Sequence, residues 1–366
     1  MQNYSSLEGS RAHYQGLDFL RGLAAIIVVA FHFSSRINLL GLFYHGYLAV
    51  DFFFVLSGFV INRAYGGRLA SGEISFKDFL LLRVVRLLPL VICGTILAGA
   101  IDLFRPGDFS MSQHVFDIVV TEILSCLLLP TFWKTTLEQT TYPLNGPVWS
   151  LFFELIANLC YALFMRIKWN FYIFAGLALL SLVVLIIASF QAHNFHFGPH
   201  KETFLLGFPR VFFSFSLGVL LSQIKFRIPS ISKWFYAVIM LLILAVPELP
   251  AHLSGVFDIA VVCVVFPGIV LGAAQCTDSQ VVSPFSRWSG EMSYPLYALH
   301  YPLVRSVASV VRRFDLPASI SFIIACIATV LFAYLASFVS KAYDVPVRRW
   351  LTSRLSGNSW AAREIT

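Results

Sequence analysis

Apolar runs long enough to cross a hydrocarbon layer recur along most of this chain, separated by short polar segments. They fall near residues 17–35, 46–62, 80–101, 147–164, 170–190, 204–222, 234–250, 255–273, 293–311 and 316–340. About 20 predominantly apolar residues in a helix span a bilayer. The pattern therefore predicts an all-α, polytopic membrane helix bundle of about ten transmembrane helices. One further run, 114–130, contains Asp117 and Glu122 and ends at Pro130. It is read as re-entrant, interfacial or half of a hairpin.

Basic residues choose between the topologies, because cytoplasmic loops collect Lys and Arg. If 114–130 does not cross and the N-terminus is cytoplasmic, 18 of the 26 basic residues fall on the inner side and 8 on the outer. If 114–130 crosses once, the count evens out at 13 against 13. The first arrangement is predicted, with both termini inside. Residues 1–16 and 346–366 then read as short cytoplasmic tails around a membrane domain over 17–345, and no internal repeat or low-complexity segment is evident. The first apolar run is followed by no small-residue cleavage site and is read as a retained span.

Composition changes little in this picture. The chain has 366 residues, of which 58% are hydrophobic and 12% charged. Soluble domains carry about a quarter charged residues, so this chain could not clothe a soluble surface. The net charge of +7 fits topology signals and anionic lipid better than nucleic acid. The six cysteines, at 93, 126, 160, 263, 276 and 326, lie in or beside apolar runs with no CxxC spacing, and read as small hydrophobes.

The chemistry must then lie among the few ionisable residues within the spans, where each charge costs about 2.5–3.5 kcal/mol at mid-helix on insertion scales. Arg21 and His32 are eleven residues apart in the first span, almost three whole turns, so they share a helix face about 16 Å apart. Asp51 enters the second span from outside, and Glu154 enters the fourth, within NGPVWSLFFELIAN. His32, Asp51 and Glu154 thus share the outer part of the bundle. Arg83 and Arg86 share one side of the third span at its inner end, just after Arg63 and Arg68. Guanidinium groups suit phosphate, and a histidine beside a carboxylate suits general-base work. Structural readings compete at every position. Arg21 stands three residues after Asp18 and could simply pair with it. Arg83 and Arg86 could be topology signals, His32 a satisfied core residue, and Asp51 or Glu154 a helix-start acid. Sorting by both charge and depth is what favours chemistry over these alternatives.

The segments RGLAAIIVVAFH, VDFFFVLSGF, RVVR, WSLFFE and SYPLYALH, in this order, resemble the acyltransferase-3 family of membrane-bound O-acyltransferases. The likeness runs from about residue 16 to 345. Arg21 and His32 match its arginine–ten residues–histidine signature, Arg83 and Arg86 its Arg-x-x-Arg pair, and Trp149, Ser150 and Glu154 its Trp-Ser-Leu-x-x-Glu element. The resemblance implies a bacterial inner-membrane enzyme. It implies an acyl group, commonly acetyl, taken from cytoplasmic acyl-CoA and passed to a hydroxyl of a carbohydrate or glycolipid toward the outer side. Some members carry a C-terminal hydrolase-like domain, and a stand-alone form without one is expected here.

On this reading Arg21, Arg83 and Arg86 hold coenzyme A phosphates and His32 is the base. Glu154, or else Asp51, orients the imidazole. Trp149 and Ser150 shape the acceptor side, and an acyl-histidine intermediate is left open. His300 is expected near the inner side, away from His32, lining the channel or packing the bundle. Arg210 is expected near the outer end of its span, meeting an acidic acceptor or snorkelling outward. His193, His196 and His200 lie in one outer loop but lack a helical metal-binding pattern, and no metal is expected. A proton-coupled small-molecule or acyl-group transporter is the alternative from another class, since buried His, Asp, Glu and Arg occur there too.

Overall fold

The computed structural model describes residues 14–37, 41–105, 107, 109–224, 231–276 and 283–355. Most of residues 1–16 and the end of the C-terminal segment expected as a tail lie outside them. Helix makes up 79% of the structure, and no strand occurs among the described residues. Each of the ten predicted apolar runs forms helix. In chain order these are α1 (Gln15–Ile37), α2 (Ala49–Ala70), α3 (Phe76–Asp102), α4 (Met111–Cys126), α5 (Val148–Phe164), α6 (Asn170–Ala192), α7 (Gly207–Gln223) and α8 (Lys233–Leu244). Next come α9 (Ala251–Ala260) and α10 (Phe266–Ala273), joined by one π-helical turn. Then follow α11 (Pro284–Arg313), α12 (Ala318–Val339) and, through a second π-helical turn, α13 (Val345–Leu355). Helix thus continues through the expected domain boundary at residue 345.

Seven of these helical stretches are long and apolar enough to cross a membrane. The other three of the expected ten differ for physical reasons. Helices α5 and α8 are apolar but only 17 and 12 residues long. Helix α11 has 30 residues but carries Arg287, Glu291, His300, Arg305 and two internal prolines. It is buried against α1, α3 and α12.

The outward surface is that of a lipid-facing bundle. Helix α6 exposes Leu179, Leu180, Val183 and Ile187, and α12 exposes Ile323, Ile327, Val330 and Leu331. Patches of this kind on a water-facing monomer would drive association. Helix α4, the segment left open by the sequence, is inverted in the same sense. It buries His114, Asp117, Thr121 and Ser125 against the protein and exposes Val115, Phe116, Val119 and Ile123. At 16 residues it is about 24 Å long, short of the roughly 30 Å hydrocarbon layer.

Two local devices set the spacing of the helices around the central cavities. Helices α2 and α7 touch backbone to backbone. A Cβ at Gly58 would stand 2.0 Å from the carbonyl oxygen of Phe215, and one at Gly218 would stand 2.0 Å from that of Val55. In lipid, where apolar burial gives no preference between helix and solvent, such small-residue contacts carry much of the packing. Within α11, Pro302 removes the N–H that would bond the carbonyl of Ala298. The side-chain amide of Asn145 donates to that oxygen instead, at 2.9 Å, and ties α11 to the segment before α5.

Substituting Gly218 by Ala forces α2 and α7 apart. We expect a loss of about 1–3 kcal/mol, the usual range for overpacking. It would be read as a lower unfolding temperature of the detergent-purified protein, while an Ala at exposed, uncrowded Gly67 leaves that temperature unchanged.

Candidate active site

Two cavities lie back to back in the bundle. The larger, about 760 Å³, is lined by five arginines: Arg21 from α1, Arg63 and Arg68 from α2, and Arg83 and Arg86 from α3. The three arginines selected from the sequence are thus brought together, and the two before them join the same wall. One carboxylate, Glu154, faces them among the lining residues, so the cavity is strongly cationic. Arg21 is pinned by its neighbours. Its Nε donates to Ser293 Oγ at 3.0 Å, one terminal nitrogen donates to the Gly290 carbonyl at 2.7 Å, and Asp18 lies 3.1 Å away. The Asp18 pair weighed as an alternative therefore exists alongside the cavity-lining position. Arg83 donates to Glu154 at 3.2 Å, while its buried Nε has no partner among the described residues. A buried N–H donor without an acceptor is costly, and here it stands in a cavity that would accept an anion.

The smaller cavity, about 360 Å³, is lined by His32 and Arg36 from α1, Tyr47 at the entry to α2, Trp149 from α5, His196 from a loop, and Tyr297 and Tyr301 from α11, among others. Val50 and Tyr297 line both cavities and form the wall between them. The Tyr297 hydroxyl and Ser150 Oγ are 2.6 Å apart, and Phe53 packs edge-on to the Tyr297 ring at 5.6 Å. Consecutive residues thus serve different chambers: Trp149 lines the histidine cavity and Ser150 the arginine cavity.

Four placements differ from the sequence expectations. Glu154 does not meet His32. It lines the arginine cavity, where Arg83 and the Ser57 hydroxyl, at 2.7 Å, hold it. The buried guanidinium requires a counter-charge, and a position one turn deeper than Ser150 supplies it. Asp51 does not meet His32 either. It is fully buried and paired bidentately with Arg210, at 2.7 and 3.0 Å. Arg210 neither snorkels nor faces an acceptor, because it is also fully buried. It donates to the carbonyls of Phe197 and Tyr47 and lies over the rings of Trp149 and Phe195 at 5.3 and 5.5 Å. His300, finally, is not remote from His32: their ring centroids are 5.2 Å apart.

The sequence also gave no sign of a second polar network that closes one side of the histidine cavity. Arg36 donates to Glu138 at 2.8 Å and to the Tyr301 hydroxyl at 2.7 Å, and that hydroxyl donates to Glu138 at 2.5 Å. Arg305 approaches Glu138 at 3.3 Å and pairs with Asp102 at 2.9 Å. Glu138 sits in the loop between α4 and α5. Burial pushes its carboxyl up, but Arg305 and Arg36 outweigh this and hold it below the usual carboxylate range. The loop between α6 and α7 joins it, since Thr141 bonds the Pro199 carbonyl through both its N–H and its hydroxyl. In that second loop His196 is packed on Tyr47, and burial, with Arg210 and His200 adding to it, drives its imidazole down to about 3. It is neutral at physiological pH. Its ring and that of His200 are 5.8 Å apart, whereas His193 is exposed at the end of α6. No three-ligand metal group occurs among the described residues.

The family profile described as "Acyltransferase domain" matches residues 14–338. The chain belongs to this family, acyltransferase-3, and both cavities lie within the matched region. Among its relatives is a protein of Staphylococcus aureus named "Putative O-acetyltransferase", 26% identical over 88% of this chain and 55% of that protein. Another is a protein of Bacillus subtilis named "Putative peptidoglycan O-acetyltransferase YrhL", 24% identical over 89% of this chain and 54% of that protein. A third, "Protein 2 in picA locus" of Rhizobium radiobacter, is 36% identical over 40% of this chain and 79% of that protein. The chain spans just over half the length of the staphylococcal and Bacillus relatives. No solved structure matches it significantly.

Two outcomes are expected from the networks. Arg210→Ala leaves the Asp51 carboxylate buried and unpaired, which should cost about 3–5 kcal/mol. Loss of folded protein on size-exclusion chromatography checks this, and Arg210→Lys should restore it only partly because the fork is lost. Glu138→Gln should raise hydrogen exchange across residues 127–147. In the unaltered protein the same opening should appear only on acidification. The folded carboxyl titrates below its unfolded value of about 4.3, so the stability it confers is complete above that value and is lost as pH falls through the lower folded one.

Proposed function

We propose that this chain is an integral-membrane O-acyltransferase that moves an acyl group, acetyl by preference, from acyl-CoA to a hydroxyl of a carbohydrate or glycolipid acceptor. The observation that carries this reading is the pairing of a cationic cavity with a histidine cavity across one shared wall. Family membership supports the acyl chemistry, and the names of the staphylococcal and Bacillus relatives support a hydroxyl acceptor and acetyl. The ten-span topology, with cytoplasmic termini and the arginine cavity facing the cytoplasm of a bacterial inner membrane, belongs to the same proposal. It rests on the distribution of Lys and Arg in the sequence.

In this reading Arg21, Arg83 and Arg86, joined by Arg63 and Arg68, hold the phosphates of the donor through charge-assisted bonds. The unpartnered Nε of Arg83 is one donor available for this. The thioester comes to the wall formed by Val50 and Tyr297, and the acceptor hydroxyl enters the histidine cavity beside His32. His32 takes the hydroxyl proton as the oxygen attacks the thioester carbonyl carbon. The carbon–sulfur bond then breaks, and the departing thiolate recovers the proton from His32. Glu154 serves the donor side by holding Arg83. Trp149 shapes the acceptor side. Asp51 and Arg210 hold the cavity wall without touching either substrate.

The experiment uses membranes carrying the full chain and labelled acetyl-CoA. His32→Ala should lower transfer by roughly 100-fold or more, the range for loss of a general base, with acetyl-CoA binding retained. Arg83→Ala or Arg86→Ala should weaken acetyl-CoA binding roughly 10- to 100-fold, as expected for losing one charge-assisted contact. Near-normal transfer by His32→Ala, or unchanged binding in both arginine variants, would count against the reading. Mass comparison of surface glycans with and without the protein identifies the acceptor.

A further inference from the structure

His300 is buried, 1% exposed, and does not line the histidine cavity, although its ring is packed on that of His32, which does. Its Nδ1 is within hydrogen-bond distance of two backbone carbonyls, those of Tyr297 at 2.8 Å and Leu296 at 3.1 Å. A carbonyl only accepts, so Nδ1 must carry the proton. The neutral ring then presents its lone pair at Nε2. That nitrogen is buried and has no partner among the described residues. Among the described residues, the imidazole packed on the His300 ring is that of His32, with centroids 5.2 Å apart and planes tilted by 33°. Centroids 5.2 Å apart leave room for one N–H···N bond of the usual roughly 2.7–3.2 Å between the rings when their nitrogen edges face each other. Tyr301 stands edge-on to His32 at 5.1 Å.

We propose that His300 is the positioning residue for His32: its Nε2 accepts the N–H of one His32 nitrogen and so leaves the other, with its lone pair, facing the acceptor cavity. This rests on His32 being the base. It fills the place that a carboxylate takes in Ser-His-Asp arrangements, which orient a base by fixing its tautomer. Neither Glu154 nor Asp51 is placed to do so, since both are held by arginines elsewhere. A neutral acceptor also suits a site where the cation one turn along α1, Arg36, is already paired with Glu138, because a carboxylate there would itself need a partner. The backbone bonds of His300 complete the arrangement by fixing its own tautomer, as outer groups do for ligating histidines.

Two substitutions separate positioning from packing. His300→Asn keeps a short amide donor toward the backbone carbonyls but has nothing at the Nε2 position. His300→Gln carries an amide oxygen out to about that position. In membranes carrying the full chain, with release of CoA thiol from acetyl-CoA as the readout, His300→Asn should lower kcat by roughly 100-fold or more. KM for acetyl-CoA and equilibrium acetyl-CoA binding should stay unchanged. His300→Gln should recover most of kcat. Near-normal kcat in His300→Asn would overturn the assignment, as would a parallel loss of acetyl-CoA binding in both variants. His32→Ala is measured beside them. If it is inactive while His300→Asn is normal, the positioning role alone fails. If it is active, the general-base reading beneath it fails as well.

Discussion

The arrangement of the site depends on the buried ion pair between Asp51 and Arg210. Neither side chain has any exposed surface, and in a hydrocarbon surrounding an isolated charge of either sign would be untenable. Arg210 answers this with donors to Asp51 and to the carbonyls of Phe197 and Tyr47, and with the faces of Trp149 and Phe195. One guanidinium thereby fixes α7 against the entry to α2, the loop after α6 and the start of α5. Tyr47 and Trp149, which line the histidine cavity, are held in place by a group that never enters it.

The same rule, that polar groups in a membrane bundle must be answered from within the protein, accounts for the division of labour among the carboxylates. Glu154 is claimed by Arg83, Asp51 by Arg210, Glu138 by Arg36 and Arg305, and Asp102 by Arg305. The rings packed on His32 are those of His300, Tyr301 and Phe31, and Arg36, one turn along α1 in the same cavity wall, is claimed by Glu138. On the proposed reading, in which His32 is the base, the group that orients it is therefore a neutral one. The Pro302 interruption in α11 shows the same economy, since the carbonyl it frees is used to bind Asn145.

The two cavities differ in charge and in what covers them. The arginine cavity is enclosed by helices α1, α2, α3, α5 and α11. The histidine cavity is bounded in part by two loops, 127–147 and 193–206, which are bonded to each other and to α1 and α11 through Glu138 and Thr141. Tyr297 and Val50 stand where the two meet. On the proposed reading an acyl group passes at that wall, where a tyrosine hydroxyl is already engaged with Ser150.

The apolar runs alone determined that the chain is a bundle of membrane-length helices, because burial in lipid demands about 20 apolar residues whatever the neighbours are. The distribution of Lys and Arg put Arg21, Arg83 and Arg86 toward one end of the bundle, and the fixed rise per residue put His32 toward the other end of α1. The tertiary structure decided which charge met which. Depth along a helix says nothing about the direction a side chain faces, so the sequence points to Glu154, or else Asp51, as the partner of His32, whereas Arg83 and Arg210 hold them. The placement of His300 differs for another reason: the apolar run 293–311 puts it near one end of a span, whereas α11 extends from Pro284 to Arg313 and sets it mid-helix. The Glu138 network lies in a loop with no periodic pattern, where contacts between residues more than 100 apart in sequence leave no local signature.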